Sequence, residues 1–406
     1  MEHHNIVDSV SARCLSSVSH ALPDETFIPE LKRRHKRTYD DLVRETHAFQ
    51  AKNKRYAIDA TTLSKRWGIP LHMAKATLDA TTQRGVRDFT KLKGTKRLRS
   101  RDEQFRYKSL DTVMFADTMQ GPCRSLNGNK YATVFASDNG FCFADPIEST
   151  KKVADSLQLL HERYGTPRVM RTDNATYFVG RNSDFSRKSR KTGTHLTSIE
   201  PHTQWHNLAE AAIRELERKY RQLKARTNSP KAVWDHLISY CSLILTHTAR
   251  SYHRLEKQVP QTVMIGDTAD ISFLVEYDWY QWVWFVPPTI VTVPKRTVQE
   301  GEHEGKKYDD GYDGFDRHEK RQLGHYLRPS LTAGDVMCSK ILTRNGRVAI
   351  RSSVYPLSHD ELLNDSIKQR LDDWNDSLKS FLKDRFAPST AAEDAKLFTY
   401  DTIDEP

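Results

Sequence analysis

The chain has 406 residues, 37% hydrophobic and 29% charged, with a formal net charge of +10 and a mean hydropathy of −0.71. No apolar run approaches the ~18 residues of a membrane helix, and residues 1–30 lack the apolar stretch of a secretory signal, so a membrane-spanning or signal-led chain is not expected. Five scattered cysteines (Cys14, Cys123, Cys142, Cys241, Cys338) form no C-x-x-C pair, which fits a reducing compartment and argues against a disulfide scaffold or a Cys-rich zinc site.

In chain order, residues 1–30 read as a flexible arm and residues 31–56 as a basic amphipathic helix, with Lys32-Arg33-Arg34-His35-Lys36-Arg37 at its head. A short helix Ala60–Arg66 ends at Gly68, and Pro70 starts a second with Leu71, Ala74 and Leu78 on one face. This pair reads equally as a DNA-reading helix-turn-helix or as an ordinary helical hairpin. Residues 84–108 carry ten Lys or Arg against three acids and read as a basic extended linker. Strands are expected at Ser109–Met119, Tyr131–Ser137 and Gly140–Pro146, the first two joined through an Asn127-Gly128 turn. A helix over Thr150–Tyr164 turns Val153, Leu157, Leu160 and Tyr164 inward. The short strand Arg168–Thr172 stops at Asp173-Asn174. Phe178–Lys191 reads as a polar, basic loop with a helical turn, followed by a strand at Thr194–Ile199 and helices from Leu208 to about Arg226 and from Pro230 to Thr248. Three antiparallel strands, a helix, two more strands and then helices make an α/β fold of the ribonuclease H type, with a mixed five-stranded sheet that brings Asp117 and Asp173 to adjacent strands.

After Pro260 the chain changes character. The run Trp279, Trp282, Trp284, Phe285 reads as core packing, with base stacking as the rival reading. Glu300–Arg321 reads as a disordered loop, Leu323–Leu357 as a small β domain, and His359–Phe386 as one final helix. The expected domains are a basic arm (1–58), a helix-turn-helix-like segment with linker (59–108), a catalytic core (109–255), a connector (256–322), a small β domain with a helix (323–386) and an acidic tail (387–406).

Three carboxylates punctuate the core: Asp117 in FADTMQGP, Asp173 in MRTDNATYF and Glu210 in PHTQWHNLAEAAIRELER. Two strand-end aspartates and a glutamate on a first helical turn can converge, and an all-oxygen donor set suits Mg²⁺ or Mn²⁺. Singly, each has a plainer reading: Asp173-Asn174 is an ordinary turn, and Glu210 an acid favoured at a helix N-terminus. Asp111 competes with Asp117 for the first position, and Gly121-Pro122 favours Asp117. Asp184 and Glu215 read as surface charges, Cys123 and Cys142 as buried small residues of a strand pair, and His206 as polar surface.

Together these motifs, with Val259-Pro260-Gln261, Gly266 and the block LGHYLRPSLTAGDVMCSKILTRNGRVAIRSSVYPL, resemble the integrase of copia-type long-terminal-repeat retrotransposons over residues 58–362. The family patterns are T-D-x-x-G-P, S-D-N-G-x-E-[FY] and P-x-x-N-G-V-A-E. The resemblance implies a ribonuclease H-like core, strand transfer into target DNA, and Asp117, Asp173 and Glu210 as catalytic metal ligands. It implies a DNA contact by Asn174, and by Asn207 either a contact to DNA ends or an ordering of the loop, and the neighbouring cations Arg214, Arg218, Arg221, Lys188, Arg190, Lys96, Arg97 and Arg99 suit phosphates. It implies element ends and target DNA as partners, a homo-oligomer, no membrane partner, residence in the nucleus or a cytoplasmic virus-like particle, and a chain that is one piece of a pol polyprotein. Departures are Ala175 for Gly, Thr176-Tyr177 for Gly-Glu and Trp205-His206 for a Gln pair. The His-His-Cys-Cys module that usually precedes this core is missing, since His35, His47 and His72 have no C-x-x-C partner, so no zinc is expected. The rivals are a non-catalytic DNA-binding relic of a retroelement and a nuclease that cuts without joining.

Overall fold

The computed structural model describes residues 58–83, 109–180, 183–199, 207–251, 255, 257–287, 321–331 and 337–386. The basic arm, the linker holding Lys96, Arg97 and Arg99, Trp205-His206, the loop through residue 320 and the acidic tail lie outside the described residues. None of the described helices is long and apolar enough to cross a membrane.

Two helices come first, α1 (Ala60–Trp67) and α2 (Leu71–Ala80). Asp59 caps α1 through the Thr61 and Thr62 amides, and Gly68 ends it at φ 61°, a left-handed conformation that suits glycine. Leu63 and Trp67 are fully buried. The inward face of α2 is Ala74 and Thr77, while Leu71, expected inward, is 45% exposed.

A mixed sheet follows: β1 (Ser109–Gln120), β2 (Tyr131–Ser137), β3 (Cys142–Ile147), β4 (Thr166–Thr172) and β5 (His195–Ser198), in spatial order β3-β2-β1-β4-β5. The first three strands are antiparallel; β4 and β5 join parallel through helical crossovers. This is the ribonuclease H-like arrangement that the strand order predicts. β2 reads YATVFAS and is buried at every position after Tyr131, as a strand covered on both faces must be. On one side lies α3 (Val153–Arg163). Beside it, the segment expected as a polar loop is instead two helices, α4 (Thr176–Val179) and α5 (Asp184–Lys191). Ser183 caps α5, and Phe185, Ser186 and Ser189 are its buried face. The opposite side carries α6 (Leu208–Thr227) and α7 (Trp234–His247). Every residue of α7 is buried.

The short helix α8 (Pro260–Ile265) leads to a second, wholly antiparallel sheet. Its strands are β6 (Trp282–Phe285), β7 (Gln322–Ser330), β8 (Cys338–Leu342), β9 (Val348–Arg351) and β10 (Val354–Pro356), ordered β10-β6-β7-β8-β9. β6 comes from the aromatic run expected in the connector. Trp279, Trp284 and Phe285 are buried in the core. The terminal helix is two, α9 (His359–Leu363) and α10 (Asp365–Leu382), divided at Asn364, whose side chain caps the second through the Ser366 amide. Cys142 is buried in β3, whereas Cys123 lies in the turn after β1 and is only partly buried, so the two do not form a strand pair.

Candidate active site

The parallel register pairs Ala116 of β1 with Thr172 of β4, so the residues that follow, Asp117 and Asp173, sit side by side where β4 ends. Asp117 is 4% exposed. Its Oδ1 accepts the Thr118 amide at 2.7 Å, and its Oδ2 accepts Asn207 Nδ2 at 3.3 Å. Asp173 closes a turn by accepting the Ala175 amide at 3.3 Å. Glu210 stands in the first turn of α6, which Asn207 caps by accepting the Ala209 amide at 3.1 Å. Ala209 is fully buried in a small cluster with Phe115 and Ala136, which seats this turn on β1 and β2. Asn207 thus ties Asp117 to the helix that carries Glu210. Its carboxamide is buried and committed to those two partners.

The electrostatics show three acids at one place. Burial, then the charges of Asp173 and Glu210, push Asp117 up to about 7, against the opposing Thr118 hydrogen bond. Asp173 is raised by burial, and Glu210 by burial and Asp173 against the pull of Arg214. Among the described residues, however, no three His, Cys, Asp or Glu side chains close within reach of a single ion.

Asp111 is separate. Its side chain is 94% exposed at the far end of β1, 3.7 Å from Arg168 Nη1. Asn174 is exposed and donates from Nδ2 to Ile199 O at 3.3 Å. Arg214, Arg218 and Arg221 are exposed along α6, the latter two within reach of Glu215 (2.7 Å) and Glu217 (3.6 Å). Lys188 and Arg190 are on α5, and Lys188 Nζ is held by Ala154 O at 3.0 Å and Asp155 at 3.1 Å. Asp184 pairs with Arg187 at the surface.

Sequence reasoning treated Tyr177 only as a departure from a pattern. Its phenol is raised by burial and by the nearby charges of Asp173 and Asp117, which puts it beside the acids. Its place just after Asp173-Asn174, on a one-turn helix, was the available signal. Gly121, part of the motif after Asp117, has a packing role: a Cβ there would meet the Trp234 ring at 2.2 Å, so packing against α7 requires glycine.

No family model and no curated protein matches the chain. Among solved structures it is similar to the catalytic core domain of BIV integrase (crystal form I), at 18% identity over 38% of this chain and 95% of that one, with a TM-score of 0.30.

Proposed function

We propose that the chain is a divalent-metal-dependent polynucleotidyl transferase, the integrase of a copia-type retrotransposon, joining element DNA ends to a target duplex. The observation that supports this reading is that Asp117 and Asp173 end up on adjacent strands near Glu210 on the capped turn of α6, the charges of Asp173 and Glu210 raising Asp117 and that of Asp173 raising Glu210. Neighbouring carboxylates are an all-oxygen donor set that suits hard divalent ions, and Asp117, Asp173 and Glu210 would hold Mg²⁺ or Mn²⁺. When bound, such ions supply activation of a hydroxyl and neutralisation of charge at the reacting phosphate.

The chain's own residues do the positioning. Asn207 fixes the carboxylate plane of Asp117 through Oδ2 and the entry of α6 through Ala209. The Thr118 amide holds the other oxygen of Asp117. Asp173 is held by its own turn. Arg214 offsets the charge of Glu210, and the exposed arginines of α6 offer donors to phosphate oxygens. DNA as partner, assembly of several copies and a nuclear site of action belong to the same proposal.

The test is joining of a labelled duplex carrying the element's ends to a target duplex in Mg²⁺ or Mn²⁺, comparing wild type with Asp173→Asn. A joined product that falls at least ~100-fold in the variant is expected, since the amide keeps the shape and loses the charge. Joining unaffected by Asp173→Asn sinks the triad. Cleavage without joining indicates a nuclease, and salt-sensitive binding with no chemistry indicates a DNA-binding relic.

A further inference from the structure

Where the first helix pair meets α6, Lys65, Gly68, Arg218, Gln222 and Arg226 line a cleft of about 820 Å³. Its wall is fixed from behind. Lys219 Nζ donates to the Trp67 and Gly68 carbonyls and to Gln222 Oε1, and Gln222 Nε2 donates to Gly68 O. A Cβ on Gly68 would meet the Gln222 carboxamide at 2.7–2.9 Å, so the turn after α1 approaches α6 this closely only at glycine. Ser64, on the same wall, donates its hydroxyl to Ile69 O at 2.6 Å. The uncharged side-chain donors of the cleft are thus committed. Its charged side chains are three cations, with no carboxylate among the lining residues. Lys65 and Arg226 are exposed and make no ion pair among the described residues, while Arg218 shares its charge with Glu215 at 2.7 Å.

Cations without a countercharge in the wall select an anion, and the extent of the charge says which. Every fourth residue of α6 from Glu210 forms one ridge: Glu210, Arg214, Arg218, Gln222 and Arg226. All but Glu210 are exposed. The ridge rises about 24 Å over its sixteen residues (226 − 210) and drifts about 40° around the helix at each step. A DNA strand covers that length in about seven nucleotides at ~3.4 Å each. We propose that duplex DNA with an end at the three acids lays its backbone along this ridge and is gripped at the cleft by Lys65, Arg218 and Arg226, so that the first helix pair serves as a phosphate clamp. Guanidinium forks match phosphate oxygens in pairs, and the lysine adds a point charge. The clamp takes its partner, DNA, from the function proposed above and needs none of its chemistry. An acidic peptide accounts for the cleft alone; a duplex accounts also for its continuity with the candidate active site.

The full chain would be titrated by anisotropy, in EDTA, against a fluorescein-labelled duplex of ~24 base pairs at salt concentrations from ~50 to ~200 mM. The double variant Lys65→Gln, Arg226→Gln should bind at least ~10-fold more weakly at ~100 mM salt. It should also lower the slope of log K against log salt by about 1.8, two phosphate contacts at ~0.9 each. Lys368→Gln, exposed on α10 outside the cleft, should keep the wild-type slope. No duplex binding, an unchanged slope in the double variant, an equal loss in Lys368→Gln, or tighter binding of a labelled oligoglutamate overturns the clamp. EDTA excludes the chemistry, so a chain that joins no DNA yet shows the slope difference loses the strand-transfer reading and keeps the clamp.

Discussion

Asp117 shows what burial beside two other acids does to one carboxylate. Its folded-state pKa, about 7, stands above the ordinary value of 3.8 expected when unfolded. Between those values the folded chain keeps a proton that the unfolded chain has released. The stabilising linkage is thus fully present below about pH 4 and lost as pH rises through about 7. We expect the melting temperature of metal-free protein to fall from pH 5 to pH 8, and millimolar Mg²⁺ to raise it far more at pH 8 than at pH 5. Asp117→Asn should flatten both effects, since it keeps the shape without the charge. An unchanged pH slope in that variant, measured by scanning calorimetry, would refute the linkage. Asp111, in the same strand and exposed, supplies the contrast: Asp111→Asn should leave the slope alone.

At the scale of elements, α6 does two jobs on different faces. Its first turn presents Glu210, and farther along Lys219 reaches back from a buried position to the end of α1. Lys219 Nζ donates to Trp67 O at 3.1 Å, Gly68 O at 2.9 Å and Gln222 Oε1 at 3.0 Å, and burial lowers its pKa to about 8. Lys219→Met would fill the space and orphan those carbonyls, at a cost of about 1–3 kcal/mol. Amide exchange in Leu63–Trp67 should then accelerate while β1 stays protected; equal exchange in wild type and variant would show that the lysine is no tether. Nothing in the spacing of α6 marks Lys219, because a lysine at a core-facing position is found only when its acceptors are known. The central strands were legible because β2 and the end of β4 are short apolar runs stopped by turn residues. Phe178–Lys191 was not, because α5 buries Ser186 and Ser189 with its single Phe185 and so lacks an apolar period. β6 was hidden for another reason: its ladder partner, Gln322–His325, lies far along the chain. Of the candidate site, the three acids and Asn207 were readable as motifs, while the capping role of Asn207, its hydrogen bond to Asp117 and the neighbourhood of Tyr177 depend on the fold.

Across the molecule, α7 stands between the two sheets. Thr246 Oγ1 accepts the Cys142 amide at 3.1 Å and donates to Cys142 O at 2.6 Å, which binds the helix to the edge of the first sheet. The ring of Tyr240 meets Tyr326 of β7 at 6.4 Å and Trp279 at 5.8 Å, which binds it to the second. One apolar cluster runs without a break from Leu63 and Trp67 through α7 to Trp374 and Leu378. A helix buried at every residue needs cover on all sides. The two sheets should therefore unfold together, as a single calorimetric transition; two resolved transitions would show separable domains. Modular exchange follows a different map from the pattern of composition. The shift in character after Pro260 looks like a seam where one lineage could splice in another's ending, yet a borrowed second sheet would have to arrive with a matching α7, and α7 with a matching β3. Heredity can trade these parts only as a set.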